Sequence, residues 1–330
     1  MNLKDRIFSL FKYKSPEKHN FVLLEDDESD KSSNSSQSIK NDTNIPETKN
    51  IFPALSVNLE YVKTKYNSMI NSDIIIREFT LNARGKQYSA FILYIDGMIN
   101  TDIMNKFILE PLMLKNRSNM FDGEQNRIIS EAVTNNITVR KVKKFDLSEY
   151  ILGCLMPQNS VEQYSEFEKI FNDINSGNCA LFIDTLTIAF DIDVKGFKQR
   201  SVERPQNEIV INGAHEAFVE NIRTNTSLLR RNVHNENLII ENISIGKITK
   251  TPSALCYVQN IANSDLVDEV RYRLNNIEVD SLLSTGQLEQ LIIDSNIMDI
   301  PQVLSTERPD KASGYLLDGR IIVLVNGTPY

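Results

Sequence analysis

The chain has few of the residues that staple or metallate a small scaffold. Among 330 residues there are three cysteines, Cys154, Cys179 and Cys256, far apart and without CxxC spacing. An odd, scattered set reads as reduced, mostly buried small hydrophobes in a reducing compartment, not as a disulfide framework. Three histidines, His19, His215 and His234, lie apart from any second ligand at metal spacing. No structural zinc site and no cofactor are expected.

Positive charge is also in deficit. Lys and Arg number 36 against 44 Asp and Glu, for a formal net charge of -8 and a pI of about 5.1. Neutralising phosphates takes a basic face, so gripping nucleic acid is not expected, and broad binding to anionic lipid is disfavoured. No window reaches the roughly 18 uninterrupted apolar residues of a membrane helix. The start, "MNLKDRIFSLFKYK", is too short in apolar residues and too broken by charge for a secretory signal. These totals predict a soluble, intracellular chain.

Catalytic signatures are missing too. "GKITKTP" (Gly246–Pro252) fails as a phosphate loop, because Ile248 follows Gly246-Lys247 and no glycine stands five positions earlier. "GYLLDGR" places Arg320 where the lysine belongs and precedes a strand. GxGxxG and GxSxG do not occur, and an enzyme is not expected. Asp191 and Asp193 alternate with apolar residues and read as the solvated face of a half-exposed strand.

What is present is material for two cores. Apolar residues make up 41% and charged residues 24%, ordinary for a globular chain, and the length suggests two domains at roughly 150 residues each. Residues 1–14 carry the apolar stripe and basic neighbours of a short amphipathic helix, read as a frayed terminus in preference to the alternative, a membrane-surface or docking segment. "EDDESDKSSNSSQSIKNDTN" cannot bury enough surface to offset chain entropy, so 1–50 reads as a disordered acidic, Ser-rich tail.

A first unit, 51–200, follows. It opens with a helix carrying Leu59, Val62, Tyr66 and Met69, then strands Asp73–Leu81 and Lys86–Gly97. A helix from Thr101 is expected to end or kink near Pro111, another to span Glu124 to Asn135. "SVEQYSEFEKIFNDINSG" reads as a helix stopped by Gly177, before the strand pair "NCALFID" and "TIAFDIDV".

A second unit, 201–330, opens with a helix from about His215 to Arg231, burying Phe218, Ile222 and Leu229. Glu216, Glu220, Arg223, Arg230 and Arg231 give it a charged face: a solvated, ion-paired surface, or a dock for an acidic partner. Strands are expected at "NLIIENISIG" and "SALCYVQNI". A helix capped by Ser264 pairs Glu269 with Arg273, and a further helix carries Leu288, Leu291 and Ile292. "STERPD" reads as a helix start: Thr306 or Ser305 as cap, Pro309 in the first turn, Glu307 and Asp310 near the positive end of the dipole. Gly319 stops that helix before a strand, Arg320–Val325. The fold class is therefore α/β, mixed α+β, as two subdomains in tandem.

From Arg200 onward the chain resembles the A subunit of GerA-type spore germinant receptors. The stretches that carry the resemblance are "RSVERPQNEIVINGAHEAFVENIRTNTSLLRR", "IGKITKTPSALCYVQNIA", "VDEVRYRLNNIEVDSLLSTGQLEQLI" and "PQVLSTERPD" with "LLDGRIIVLVNGTP". It continues more weakly over 55–200 and does not cover the first 50 residues. Arg204, Asn212 and Ala214 depart from the family's usual acidic, basic and proline residues.

The resemblance implies a cytoplasmic region of two α/β subdomains ahead of a membrane-helix bundle beginning after "NGTPY". It implies the cytoplasmic face of the inner spore membrane, with other A subunits and receptor B and C subunits as partners. It also implies a role in assembly and in coupling nutrient sensing to ion release. Glu216, Glu220, Arg223, Arg230, Arg231, Glu307, Arg308 and Asp310 are the candidate assembly or coupling contacts. Two alternatives stand beside this one. One is a small-molecule sensor with a ligand cleft between the subdomains. The other is a sibling of the family tied to dipicolinate transport.

Overall fold

The structure is a computed structural model and describes residues 50–83, 86–113, 146–157, 160–196, 205, 207–208, 210–294 and 301–330. The N-terminal tail, apart from Asn50, and the helix expected over Glu124–Asn135 lie outside the described residues. Asn50 itself bridges Glu166 by its backbone.

The first unit is a five-stranded antiparallel sheet in the order β1-β2-β4-β5-β3. Its strands are β1 (Ile74–Ala83), β2 (Lys86–Ile95), β3 (Val161–Tyr164), β4 (Cys179–Ile183) and β5 (Ala189–Ile192). Helix α1 (Leu55–Lys65) and a later helix, Phe167–Asn175, pack on one face. The other face is covered by α2 (Thr101–Met104), a π-helical turn (Asn105–Leu109), α3 (Glu110–Met113) and the stretch from α4 (Leu147–Tyr150). Helices on both faces explain why "AFILYI" and "CALFI" are unbroken apolar runs: β2 and β4 are inner strands with both sides buried.

Several local expectations change here. Val161–Tyr164 is an edge strand paired with β5, and the helix α5 (Phe167–Asn175) begins only afterwards. The π-turn ahead of Pro111 shifts the hydrogen-bond ladder, and the helical stretch passes the proline to Met113. Met69 is 95% exposed, because α1 ends before it. β5 is buried throughout, since α5 covers the face that bears Ala189 and Asp191. The solvated reading of Asp191 is therefore overturned.

The second unit is a three-stranded antiparallel sheet, β6 (Leu238–Ile245), β7 (Thr251–Val258) and β8 (Ile322–Val325), with β7 in the middle. Helices α6 (Ile222–Asn232) and α9 (Pro309–Leu317) cover one face. Helices α7 (Ser264–Asn275) and α8 (Thr285–Ile292) cover the other.

Helix α6 starts seven residues later than its apolar pattern suggests. The Asn225 side chain accepts from Val219 N–H at 2.8 Å and donates to Val219 C=O at 2.6 Å, holding that residue ahead of the helix, while Asn221 caps it. Helix α7 is capped by Asn263 rather than Ser264, and its Glu269–Arg273 pair closes at 2.7 Å. Arg308 is the N-cap of α9 without a side-chain cap bond; Thr306 Oγ1 accepts instead from Arg308 N–H at 3.2 Å. Pro309 takes the first position, where no N–H is required. Gly319 ends the turn with φ +80°, and an added Cβ would lie 3.1 Å from the Ile261 carbonyl.

Candidate functional site

The two sheets meet at the start of β1, the end of β2 and one face of α6. Ile74 pairs with Ile95, so Asp73 and Asp96 continue that register one step past the strands, and Asp96 N–H donates to Asp73 C=O at 2.8 Å. Two turns of α6 separate Arg223 from Arg230, which puts both guanidinium groups on one side. Arg230 meets Asp73 and Arg223 meets Asp96. Glu216 and Glu220 stand ahead of α6 rather than on it, and the acidic groups that Arg223 and Arg230 meet belong to the same chain.

The Arg230 end is the tighter of the two. Its Nε and one terminal nitrogen donate to the two Asp73 oxygens at 2.8 Å each. The same terminal nitrogen reaches Asn71 Oδ1 at 3.1 Å, and the other reaches the Asn235 carbonyl at 3.3 Å. Arg230 is only 1% exposed. A fork of donors matched to a carboxylate suits arginine and not lysine. With 1% of its surface exposed and four hydrogen bonds inside the chain, Arg230 offers no surface to a neighbouring subunit, which corrects that part of the expectation.

Asn71 and Ser72 extend the clamp along the outer edge of β6. Asn71 Oδ1 accepts from Ile240 N–H at 3.0 Å, and its Nδ2 donates to the Leu238 carbonyl at 3.1 Å. Ser72 N–H donates to the Ile240 carbonyl at 2.8 Å, and Ser72 Oγ accepts from Asn242 N–H at 3.1 Å. The first unit thus pairs an edge strand of the second that would otherwise present bare backbone groups. Lys65–Glu236 at 2.9 Å and Asn67–Gln259 at 2.5 Å add two more ties across the seam. Burial pulls the Glu236 carboxyl up, yet its bonds to Lys65 and to backbone outweigh that and leave its pKa lowered.

The remaining candidates gather in two places. Glu216 pairs with Arg231 at 3.2 Å, half-buried, and the exposed Glu220 lends its carbonyl to Gly327 N–H at 2.7 Å. Near α9, Glu307 is buried, and its Oε1 accepts from Asn207 N–H at 2.5 Å and Glu208 N–H at 2.7 Å. Glu307 is therefore committed within the chain, not free for another subunit. Arg308 forks onto Asp310, which lowers the Asp310 pKa. Glu208 accepts from Thr306 and Lys311 at 2.7 and 3.0 Å.

Sequence reasoning missed Asn71, Asp73, Glu208 and Glu236. Single polar residues beside an apolar run carry no spacing signal, and each finds its partner more than 90 positions away.

Two cavities accompany these contacts. One of about 330 Å³ lies at the seam and is lined by polar groups, among them Asn100, Thr101, Asn221, Arg223 and Ser227. The other, about 550 Å³ and mostly apolar, lies in the second unit between α7, α8 and β8. Among the described residues no helix is long and apolar enough to cross a membrane.

A two-unit α/β body clamped along one sheet edge is the class that fold and site define. The family model described as Bacillus/Clostridium GerA spore germination protein matches residues 60–330, and the chain belongs to that family. Spore germination protein KA of Bacillus subtilis is 30% identical over 280 residues, 85% of this chain and 46% of that protein. Spore germination protein B1 of the same organism is 32% identical over 260 residues, 79% and 48%. The chain thus spans about half the length of these curated relatives. It is also similar to the crystal structure of the N-terminal domain of the A subunit of the Bacillus megaterium spore germinant receptor GerK3. That match has a TM-score of 0.58 and 30% identity, and covers 86% of this chain and 95% of the other.

Proposed function

We propose that this chain is the N-terminal region of a germinant-receptor A subunit, and that it works without catalysis. Its role is receptor assembly and the coupling of nutrient sensing to ion release during germination, on the cytoplasmic face of the inner spore membrane. The observation that carries this reading is the clamp of Arg230 and Arg223 on Asp73 and Asp96. A relay between partners and a membrane segment needs units that do not slide independently. The buried pair of the clamp, Arg230–Asp73, is costly to break once one partner is removed. The clamp therefore makes the two units respond together.

Glu216, Glu220, Arg231, Arg308 and Asp310 keep part of their surface in solvent and are the groups offered to other A subunits and to the B and C subunits. Glu216→Arg and Arg308→Glu are expected to reduce co-purification of the receptor subunits from spore membranes while the isolated chain stays folded, read as an unchanged circular-dichroism spectrum. Full co-purification with both changes removes these residues from assembly.

The polar cleft at the seam supports a second reading, a small-molecule sensor. Thermal-shift screening against germinants separates the two. A saturable shift, lost in Ser227→Leu, favours sensing; no shift with any germinant leaves coupling.

A further inference from the structure

Asp191 of β5 and Asn178, just ahead of β4, are both buried, at 5% and 6% exposed. Asn178 Nδ2 donates to Asp191 Oδ2 at 2.5 Å. Asp191 Oδ1 and Asn178 Oδ1 are both buried acceptors with no hydrogen-bond partner among the described residues. Two bare acceptors in one contacting pair lack a donor, and a carboxyl proton is the donor this pair can hold. Placed on Asp191 Oδ1 it closes a reciprocal acid–amide pair, with the amide donating one way and the acid the other.

The surroundings favour the neutral form. Glu162 of β3 is the cross-strand partner of Asp191, and Asp173 faces it from α5. Asp193 follows just past the end of β5, and Cys179 lies on β4; Lys195, an exposed cation, is the opposing charge. Burial is the main influence and pushes the Asp191 carboxyl up to about 7, against the Asn178 bond, which lowers it.

The pair stands where α5 turns into β4, at Gly177 with φ +103°. From that turn a line of contacts runs to the clamp. Tyr66 donates its hydroxyl to Asn175 Oδ1 at 3.3 Å, Asn71 Nδ2 donates to the Tyr66 carbonyl at 3.2 Å, and Asn71 Oδ1 accepts from Arg230.

We propose that Asp191 and Asn178 form a proton-operated clasp: the neutral pair pins the α5–β4 corner to β5, and loss of the proton loosens that corner behind the clamp. Ionisation leaves the Asn178 carbonyl without its donor and adds a negative charge beside Glu162 and Asp173.

The sign follows from the raised carboxyl. In an opened corner the carboxyl titrates near its ordinary value, so the closed form holds the extra proton between about pH 4 and pH 7. Closure weakens as pH rises through that window and changes no further above it.

Two measurements on the 330-residue chain test this. In wild-type protein the Asp191 carboxyl carbon, followed by NMR, is expected to titrate near pH 7; titration near pH 4 overturns the proposal. Amide exchange over 174–180, corrected for the intrinsic pH dependence of exchange, is expected to lose about twentyfold in protection between pH 5.5 and 7.5. Asp191→Asn keeps the neutral shape with no proton to lose, and its corrected protection is expected to be flat. A wild-type profile as flat as the variant's overturns the clasp. If the variant does not fold, the wild-type carboxyl titration decides alone.

Discussion

Arg230 and Asp73 stand 157 positions apart in the chain and meet through two parallel hydrogen bonds of 2.8 Å. Each belongs to a different sheet's unit, and each is held by a neighbour. Asp73 lends its carbonyl to Asp96, and Arg230 shares Asn71 with the β6 edge. The pair is thus the centre of a seam in which backbone, amide and ion-pair contacts all cross between the units.

Removing either partner leaves a buried, uncompensated charge. Arg230→Met and Asp73→Asn are each expected to destabilise the chain by about 3–5 kcal/mol in chemical denaturation. The double variant is expected to cost less than the sum of the two. Arg230→Lys is expected to lose stability as well, because one ammonium cannot satisfy both oxygens, Asn71 and the Asn235 carbonyl in that geometry.

Glu307 holds two backbone N–H groups of the segment that leads into the second unit. Glu307→Ala strips both of their acceptor and is expected to cost about 2 kcal/mol. Amide exchange at Asn207 and Glu208 is expected to accelerate, while Phe218, bonded to the Glu307 backbone carbonyl, keeps its protection.

Thr185, in the turn from β4 to β5, has φ +75°, a conformation a β-branched residue resists. Its N–H is tied to the Pro53 carbonyl at 2.8 Å, which holds it there. Thr185→Gly is expected to stabilise the chain by about 1 kcal/mol, read as a higher melting temperature. A lower melting temperature means that the Thr185 side chain contributes more than its backbone costs.

Arg308 lowers the Asp310 carboxyl by hydrogen bond and charge. A depressed folded value contributes stability above the ordinary carboxylate value that is lost as pH falls through the folded one. Wild-type chain is therefore expected to lose more stability than Asp310→Asn between pH 5 and pH 3, measured by thermal melts. The sign is opposite to that of Asp191, which weakens the fold as pH rises toward neutrality.

Much of the fold was legible because local pattern and global role agree. The apolar runs of β2 and β4 announce inner strands, and Gly177 and Gly319 end their helices as read. The failures share a physical cause: a polar side chain whose partner the periodic pattern does not show. Asp191 alternates with apolar residues like a surface group, yet α5 covers it. Arg230 reads as a charge on a wet helix face, yet Asp73 takes it into the interior. Phe218 stands at helical spacing from Ile222 and Leu229, yet Asn225 pairs with Val219 and keeps the helix from starting earlier. In each case a carboxylate, guanidinium or amide makes a contact that periodicity cannot register.

The exposed Asp96–Arg223 pair gives the most direct test of coupling across the seam, because charge can be exchanged there without opening the core. Nutrient-triggered germination is measured in spores carrying Arg223→Glu alone and with Asp96→Arg, at equal receptor levels. The account predicts a slowed response in the single variant and recovery in the double. A normal response in the single variant, or no recovery in the double, contradicts it.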